Sequence, residues 1–162
     1  PIKPCEWTYE AMGYIATPIP YADVYTSLQM GIADGQMGGP PFQAWQFRDV
    51  QKVWIQYNDY IETWWFVINK GIWDKLSPED QKIITQAAQE EARIQWEKAE
   101  QVDEEYRQKL KNECGWTIIM LNQDQLNRIA SHVRKIVWPK IEPLIGSELM
   151  NRIYKESGIP KQ

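Results

Sequence analysis

Ser77-Pro78-Glu79-Asp80-Gln81 opens the longest stretch of the chain free of Gly and Pro, and Gly115 follows its end. Ser77 has the side-chain oxygen of a helix N-cap. Pro78 suits the first helical position, where its missing N–H costs no hydrogen bond. Glu79 and Asp80 lie against the positive end of the helix dipole. Downstream, Ile84, Ala88, Ala92, Trp96, Ala99, Val102, Tyr106 and Leu110 recur at steps of three or four. That spacing places them in one apolar stripe and predicts a single helix over Glu79–Glu113, roughly 50 Å long at about 1.5 Å per residue. The Glu-rich run Glu90–Glu105 reads as its wet face.

Upstream the texture is different. Glu6–Gly13 reads as the end of a helix, with Gly13 as its stop. Ile15–Ile19, closed by Pro20, reads as a short strand. Tyr21–Met30 carries Tyr21, Val24 and Leu28 at helical spacing, with Gly31 as the residue after the cap. Ile32–Met37 reads as a second strand, broken by Gly38, Gly39, Pro40 and Pro41. Phe42–Phe47 reads as a helical turn. Val53–Tyr57 and Tyr60–Asn69, rich in Val, Ile, Tyr and Trp, read as further strands. Beyond Gly115, Trp116–Leu121 reads as a strand. Asn122 caps a helix with Leu126, Ile129, Val133, Ile136 and Val137, expected to end before Pro139. Ser147–Glu156 is the expected terminal helix.

The predicted class is α/β, with three segments: an α/β lobe segment over 1–76, a long connecting helix over 77–113, and a strand with helices over 114–162. Too few strands are present to complete a sheet, so an upstream portion is expected to be missing. The chain opens Pro1-Ile2-Lys3-Pro4-Cys5 and reads as a processed or truncated product.

Composition narrows the function. The 162 residues are 43% apolar and 12% aromatic, with nine Trp, so a sizeable core is expected. The Trp surplus is read first as packing, with an aromatic-lined pocket as the sharper alternative. A net charge of −4 offers no broad basic surface for nucleic acid. No apolar run approaches the roughly 20 residues that span a bilayer. Cys5 and Cys114 are too few for a zinc site, and a disulfide and two free thiols both remain open. His132, the sole histidine, lies in a charged helical segment and reads as a surface residue. No Ser-His-Asp set is recognisable. Asp34-Gly35-Gln36-Met37-Gly38-Gly39 lacks the Lys-Ser/Thr ending of a phosphate loop. No cofactor, metal or catalytic residue is assigned, and an enzyme is not expected.

The most specific block is Pro18-Ile19-Pro20-Tyr21-Ala22-Asp23-Val24-Tyr25-Thr26-Ser27-Leu28-Gln29-Met30-Gly31-Ile32-Ala33-Asp34-Gly35-Gln36. It resembles the substrate-binding proteins of tripartite ATP-independent periplasmic (TRAP) transporters, the DctP-like family, with their "EVYTALQ" helix and "DGQ" turn. Phe47-Arg48-Asp49-Val50-Gln51-Lys52 and Trp73-Asp74-Lys75-Leu76-Ser77-Pro78-Glu79-Asp80-Gln81 continue the likeness in order and spacing.

The resemblance implies the C-terminal half of a two-lobed binding protein. It would be secreted to the periplasm, capture a small organic carboxylate and deliver it to small and large membrane permease components. The family's ligand-binding Arg would fall before Pro1, and no Arg here replaces it by motif position. The resemblance places ligand contacts at Tyr21, at Gln36-Met37-Gly38 and at Asp59, Glu62 and Trp64. Gly38 stands where the family often has Asn, which removes a side-chain donor and widens the site. That change, with Tyr21 and Trp64 nearby, leads us to expect a ligand with an apolar or ring-bearing body. Asp59 and Glu62 would hold an amine, a water or a cation. The competing reading is a helical module that dimerises through the Ile84–Leu110 stripe and binds no solute.

Overall fold

The computed structural model describes residues 2–59 and 61–160. Among these described residues, seven α-helices and one strand pair form the framework: α1 (Lys3–Ala11), α2 (Tyr21–Gln29), α3 (Pro41–Ala44), β1 (Val53–Gln56), α4 (Lys70–Trp73), α5 (Pro78–Cys114), β2 (Thr117–Met120), α6 (Gln123–Ile145) and α7 (Ser147–Ser157). A 3-10 turn over Trp45–Phe47 extends α3. The strands β1 and β2 pair in a two-stranded sheet. The chain divides into two compact units. The first comprises Pro1–Gln36, Ile55–Asp59 and Ile119–Gln162, and the second Met37–Trp54 and Tyr60–Ile118.

In the second unit, α5 is the 37-residue helix its cap foretold. Ser77 accepts from the Asp80 N–H at 3.1 Å and donates its hydroxyl to the Asp80 carboxylate at 2.7 Å. At the far end Gly115 turns the chain at φ 67°, a left-handed conformation that favours glycine. The Trp116 N–H then donates to the Leu110 carbonyl at 3.0 Å. Ala44, Leu110 and Trp116 form the core, with Trp45, Trp54, Cys114 and Ile118 packed against it. The Trp116 indole N–H is not stranded by this burial: it donates to the Arg48 carbonyl at 3.2 Å.

In the first unit, α1 packs on α6 and α6 on α7. Val137 and Met150 are each 1% exposed. Asn122 and Gln125 form a reciprocal capping box at the start of α6, both bonds at 2.9 Å. The expected stop before Pro139 is wrong: α6 runs through Pro139 and Pro143 to Ile145. Proline removes one N–H and crowds the carbonyl four residues back, a cost of about 3 kcal/mol. Packing on α7 offsets it, with the Trp138 and Tyr154 rings edge to face at 5.1 Å.

Three predicted strands are absent. Ile15–Ile19 is irregular, with Ile15 95% exposed. Ile32–Met37 fails as a strand for a local reason. Gly31, at φ 69°, closes a Schellman motif in which its N–H bonds the Leu28 carbonyl and the Ile32 N–H bonds the Ser27 carbonyl. That draws Ile32 back onto α2. For Tyr60–Asn69, Tyr60 lies outside the described residues, and 61–69 holds no strand. Ile61, Trp64, Trp65, Phe66 and Val67 are all exposed. β-propensity measures fit to a neighbouring strand and a covering layer, and neither face of this segment is covered. The aromatic surplus is therefore only partly packing: Trp116 is buried, while Trp64, Trp65 and Trp96 are about 80% exposed.

Candidate functional site

Tyr21 is the first residue of α2, which begins without a side-chain cap behind Pro20. Asp23 sits in the first turn, and its N–H reaches the Pro20 carbonyl at 2.9 Å. The start of the helix thus carries an aromatic ring at a positive dipole end, with Tyr21 58% exposed. Behind α2, Gln36, Met37 and Gly38 lie in irregular backbone and are half-buried.

Gly38 and Gly39 turn the chain at φ 112° and 75°, conformations that a side chain opposes. A Cβ at Gly39 would collide with the Gln43 side chain. This double-glycine turn delivers Pro40 and Pro41 to the start of α3.

Asp59 follows β1 and belongs to the first unit. Its carboxylate accepts from the Tyr9 hydroxyl of α1 at 3.2 Å. Next to it the Tyr14 and Tyr57 hydroxyls share a hydrogen bond at 2.6 Å. The Tyr9 ring packs 5.7 Å from Tyr14 and 6.4 Å from Tyr57. Burial, then the Tyr14 hydrogen bond, push the Tyr57 phenol up to about 12. Asn58 adopts φ 52°, so the chain bends sharply between Tyr57 and Asp59. Sequence reasoning missed this tyrosine set. No period connects Tyr9, Tyr14 and Tyr57, since a helix stop separates the first pair and the segment just after β1 supplies the third.

Glu62 and Trp64 are exposed in the second unit, Trp64 at 81%. The expected site residues are therefore divided, with Tyr21, Gln36 and Asp59 in one unit and Met37, Gly38, Glu62 and Trp64 in the other. Cys5 and Cys114 are free thiols, and burial, then the Asp59 charge, raise the pKa of Cys5. His132 is exposed, and its Nε2 lies 3.0 Å from the Ala11 carbonyl, tying α6 to the end of α1. A wide concavity of about 560 Å³ runs along α5, but Glu97, Glu100, Gln101, Glu104, Glu105 and Gln108 all come from one helix. It is a solvated acidic face with no opposing wall.

Residues 5–141 match the family described as bacterial extracellular solute-binding protein, family 7. The chain belongs to that family. Its members bind substrates for transport and are not enzymes. The chain is 26% identical over 145 residues to the sialic acid-binding periplasmic protein of Vibrio cholerae serotype O1, covering 89% of this chain and 39% of that one. It is 30% identical over 161 residues to the ectoine-binding periplasmic protein of Halomonas elongata, covering 90% and 44%. A TRAP periplasmic solute-binding protein from Ochrobactrum anthropi superposes with a TM-score of 0.71 at 26% identity, covering 94% of this chain and 47% of its own. That structure has its C-terminus bound in its ligand-binding pocket. The chain therefore spans less than half the length of these three relatives, and its mixed helix and sheet is a partial α/β binding-protein fold.

Proposed function

We propose that this chain supplies the C-terminal half of a periplasmic solute-binding protein that captures a small organic carboxylate and hands it to a TRAP permease. The observation that carries the reading is the family match over residues 5–141, which includes the α2 block and the Asp34-Gly35-Gln36 turn. On this reading residues 1–76 contribute pocket motifs, 77–113 the connecting helix and 114–162 the closing strand and helices. Tyr21, Gln36, Met37, Gly38, Asp59, Glu62 and Trp64 contribute ligand contacts. An N-terminal half supplies the opposite wall and an Arg for the carboxylate, a charge-assisted contact of about 1.5–3 kcal/mol.

The exposure of Ile15, Ile61, Trp64, Trp65 and Val67 supports a missing neighbour, because such surface is otherwise left in water. The Asp59 carboxylate, oriented by Tyr9, suits the amine of a zwitterion better than a second carboxylate. Gly38 favours a ligand with an apolar or ring-bearing body, since a polar group there would lose about 1–3 kcal/mol for each unmet hydrogen bond.

A thermal-shift screen of the full-length protein against aromatic, aliphatic, zwitterionic and sugar acids tests the ligand class. Stabilisation by sugar acids alone would refute the apolar preference. Gly38→Asn should shift preference toward polar acids, and at φ 112° it should also cost on the order of 1–3 kcal/mol of stability.

A second reading is favoured by one observation. Ile83, Ile84 and Trp96 are exposed along α5, Trp96 at 80%, so this stripe can serve a homodimer. Light scattering of the full-length protein separates the two: a monomer in which Trp96 is shielded from a quencher assigns the stripe to the N-terminal half.

A further inference from the structure

A second cavity, of about 250 Å³, lies in the first unit between α6 and the segment after α7. Arg134, Lys135 and Trp138 line it from α6, Tyr154 from α7, and Ile159 and Pro160 from the segment beyond Gly158. Among the described residues, those lining it include two cations and no carboxylate. Among the described residues neither Arg134 nor Lys135 forms a salt bridge, whereas Arg152 of α7 is held by Glu156 at 3.3 Å. The Arg134 guanidinium lies over the Trp138 ring, 5.5 Å from its centroid. The ring face attracts the cation and leaves guanidinium N–H groups to meet a planar anion. Trp138 is itself fixed edge to face by Tyr154 at 5.1 Å, so the ring beneath Arg134 is braced from a second helix.

We propose that this cavity binds a carboxylate carried on a compact apolar body. Arg134 and Lys135 take the carboxylate, and Trp138, Tyr154 and Ile159 take the body. The volume is below the roughly 300–1,000 Å³ of sites that enclose a whole drug-sized ligand. It suits a small aromatic acid or one anchoring group of an acidic protein segment. The two sources share their chemistry, and the experiment separates them.

The intact protein carrying this chain is labelled with 5-fluorotryptophan, and the Trp138 fluorine resonance is assigned by its loss in Trp138→Phe. Following that resonance alone reports this cavity and not the ligand contacts proposed at Tyr21. The probes are benzoate, benzyl alcohol as its uncharged counterpart, and acetyl-Ala-Phe with a free carboxyl terminus. Benzoate or the peptide should shift the Trp138 resonance saturably, and benzyl alcohol should not. Arg134→Gln should weaken that response at least tenfold with the far-UV spectrum unchanged, Arg134→Lys should recover part of it, and Lys135→Gln should weaken it less. A stronger response to the peptide assigns a protein segment, and a stronger response to benzoate a free acid. No saturable shift with either anion, an equal response to benzyl alcohol, or an unchanged response in both glutamine variants would overturn the proposal.

Discussion

Trp96 and Leu110 sit on the same apolar stripe of α5, about four helical turns apart, yet Trp96 is 80% exposed and Leu110 is completely buried. The two ends of one helix obey the same spacing and meet different surroundings. Near Leu110, α3 and Trp116 close over the stripe, with Phe42 and Trp45 edge to face against Tyr106 at 6.2 Å. Around Ile83, Ile84 and Trp96 the apolar face is left bare. Periodicity determines which face is apolar, and tertiary partners determine whether it is covered.

The acids follow the same division. Asp103, in the packed half, has its pKa raised by burial against the lowering pull of Arg107. Glu90, in the bare half, is held below the usual carboxylate range by its hydrogen bond from Arg93.

The largest effect expected is at the packed end. Leu110→Ala should lose about 2–5 kcal/mol in urea unfolding of this chain, because a fully buried leucine leaves a cavity. Trp96→Ala should stay within about 0.5 kcal/mol, as exposed substitutions do. Equal losses at the two positions would break the comparison. Ser77→Ala should cost about 1 kcal/mol, the usual value of a side-chain N-cap, although it lies at the bare end. A loss near zero would mean that this end of α5 frays in solution.

The smallest effects are in pH. The folded pKa of Asp103 lies above its unfolded value, so the folded state holds the proton more readily between the two. The Asp103 penalty is present at neutral pH and relieved as pH falls through the folded value. Asp103→Asn should therefore stabilise slightly at pH 7 and lose that advantage in acid. The shift at Glu90 has the opposite sign: its contribution is present above the unfolded pKa and fades as pH falls. Denaturation curves of Asp103→Asn and Glu90→Gln at several pH values should diverge in these two directions.

Helix caps were legible where the signal and its partner lie close in the chain, although the strand expected over Ile32–Met37 overlooked how the Gly31 cap bonds Ile32 back to Ser27. Ser77 with Asp80, Asn122 with Gln125, and Gly31 with Ser27 and Leu28 are caps of this kind, and each forms as its residues imply. The paired strands Val53–Gln56 and Thr117–Met120 were legible too, because each finds its neighbour within the chain. Ile15–Ile19 and the Trp-rich segment after Tyr60 were misread because strand character is realised only against a partner. Pro139 was misread because packing of α6 on α7 outweighs the lost N–H. At the candidate site, Tyr21 came from the α2 block and the glycine turn from the Gly38-Gly39-Pro40-Pro41 run just after it, whereas the Tyr9–Asp59 contact spans 50 residues and left no pattern to read.

The most direct test of the central claim is calorimetric titration of an organic acid found in the thermal-shift screen, against both the full-length protein and this chain alone. The account predicts saturable binding by the full-length protein and a loss of at least a hundredfold for the isolated chain, because the proposal assigns the carboxylate Arg and the opposite wall to an N-terminal half. Micromolar binding by this chain alone, or no binding of any organic acid by the full-length protein, would contradict it.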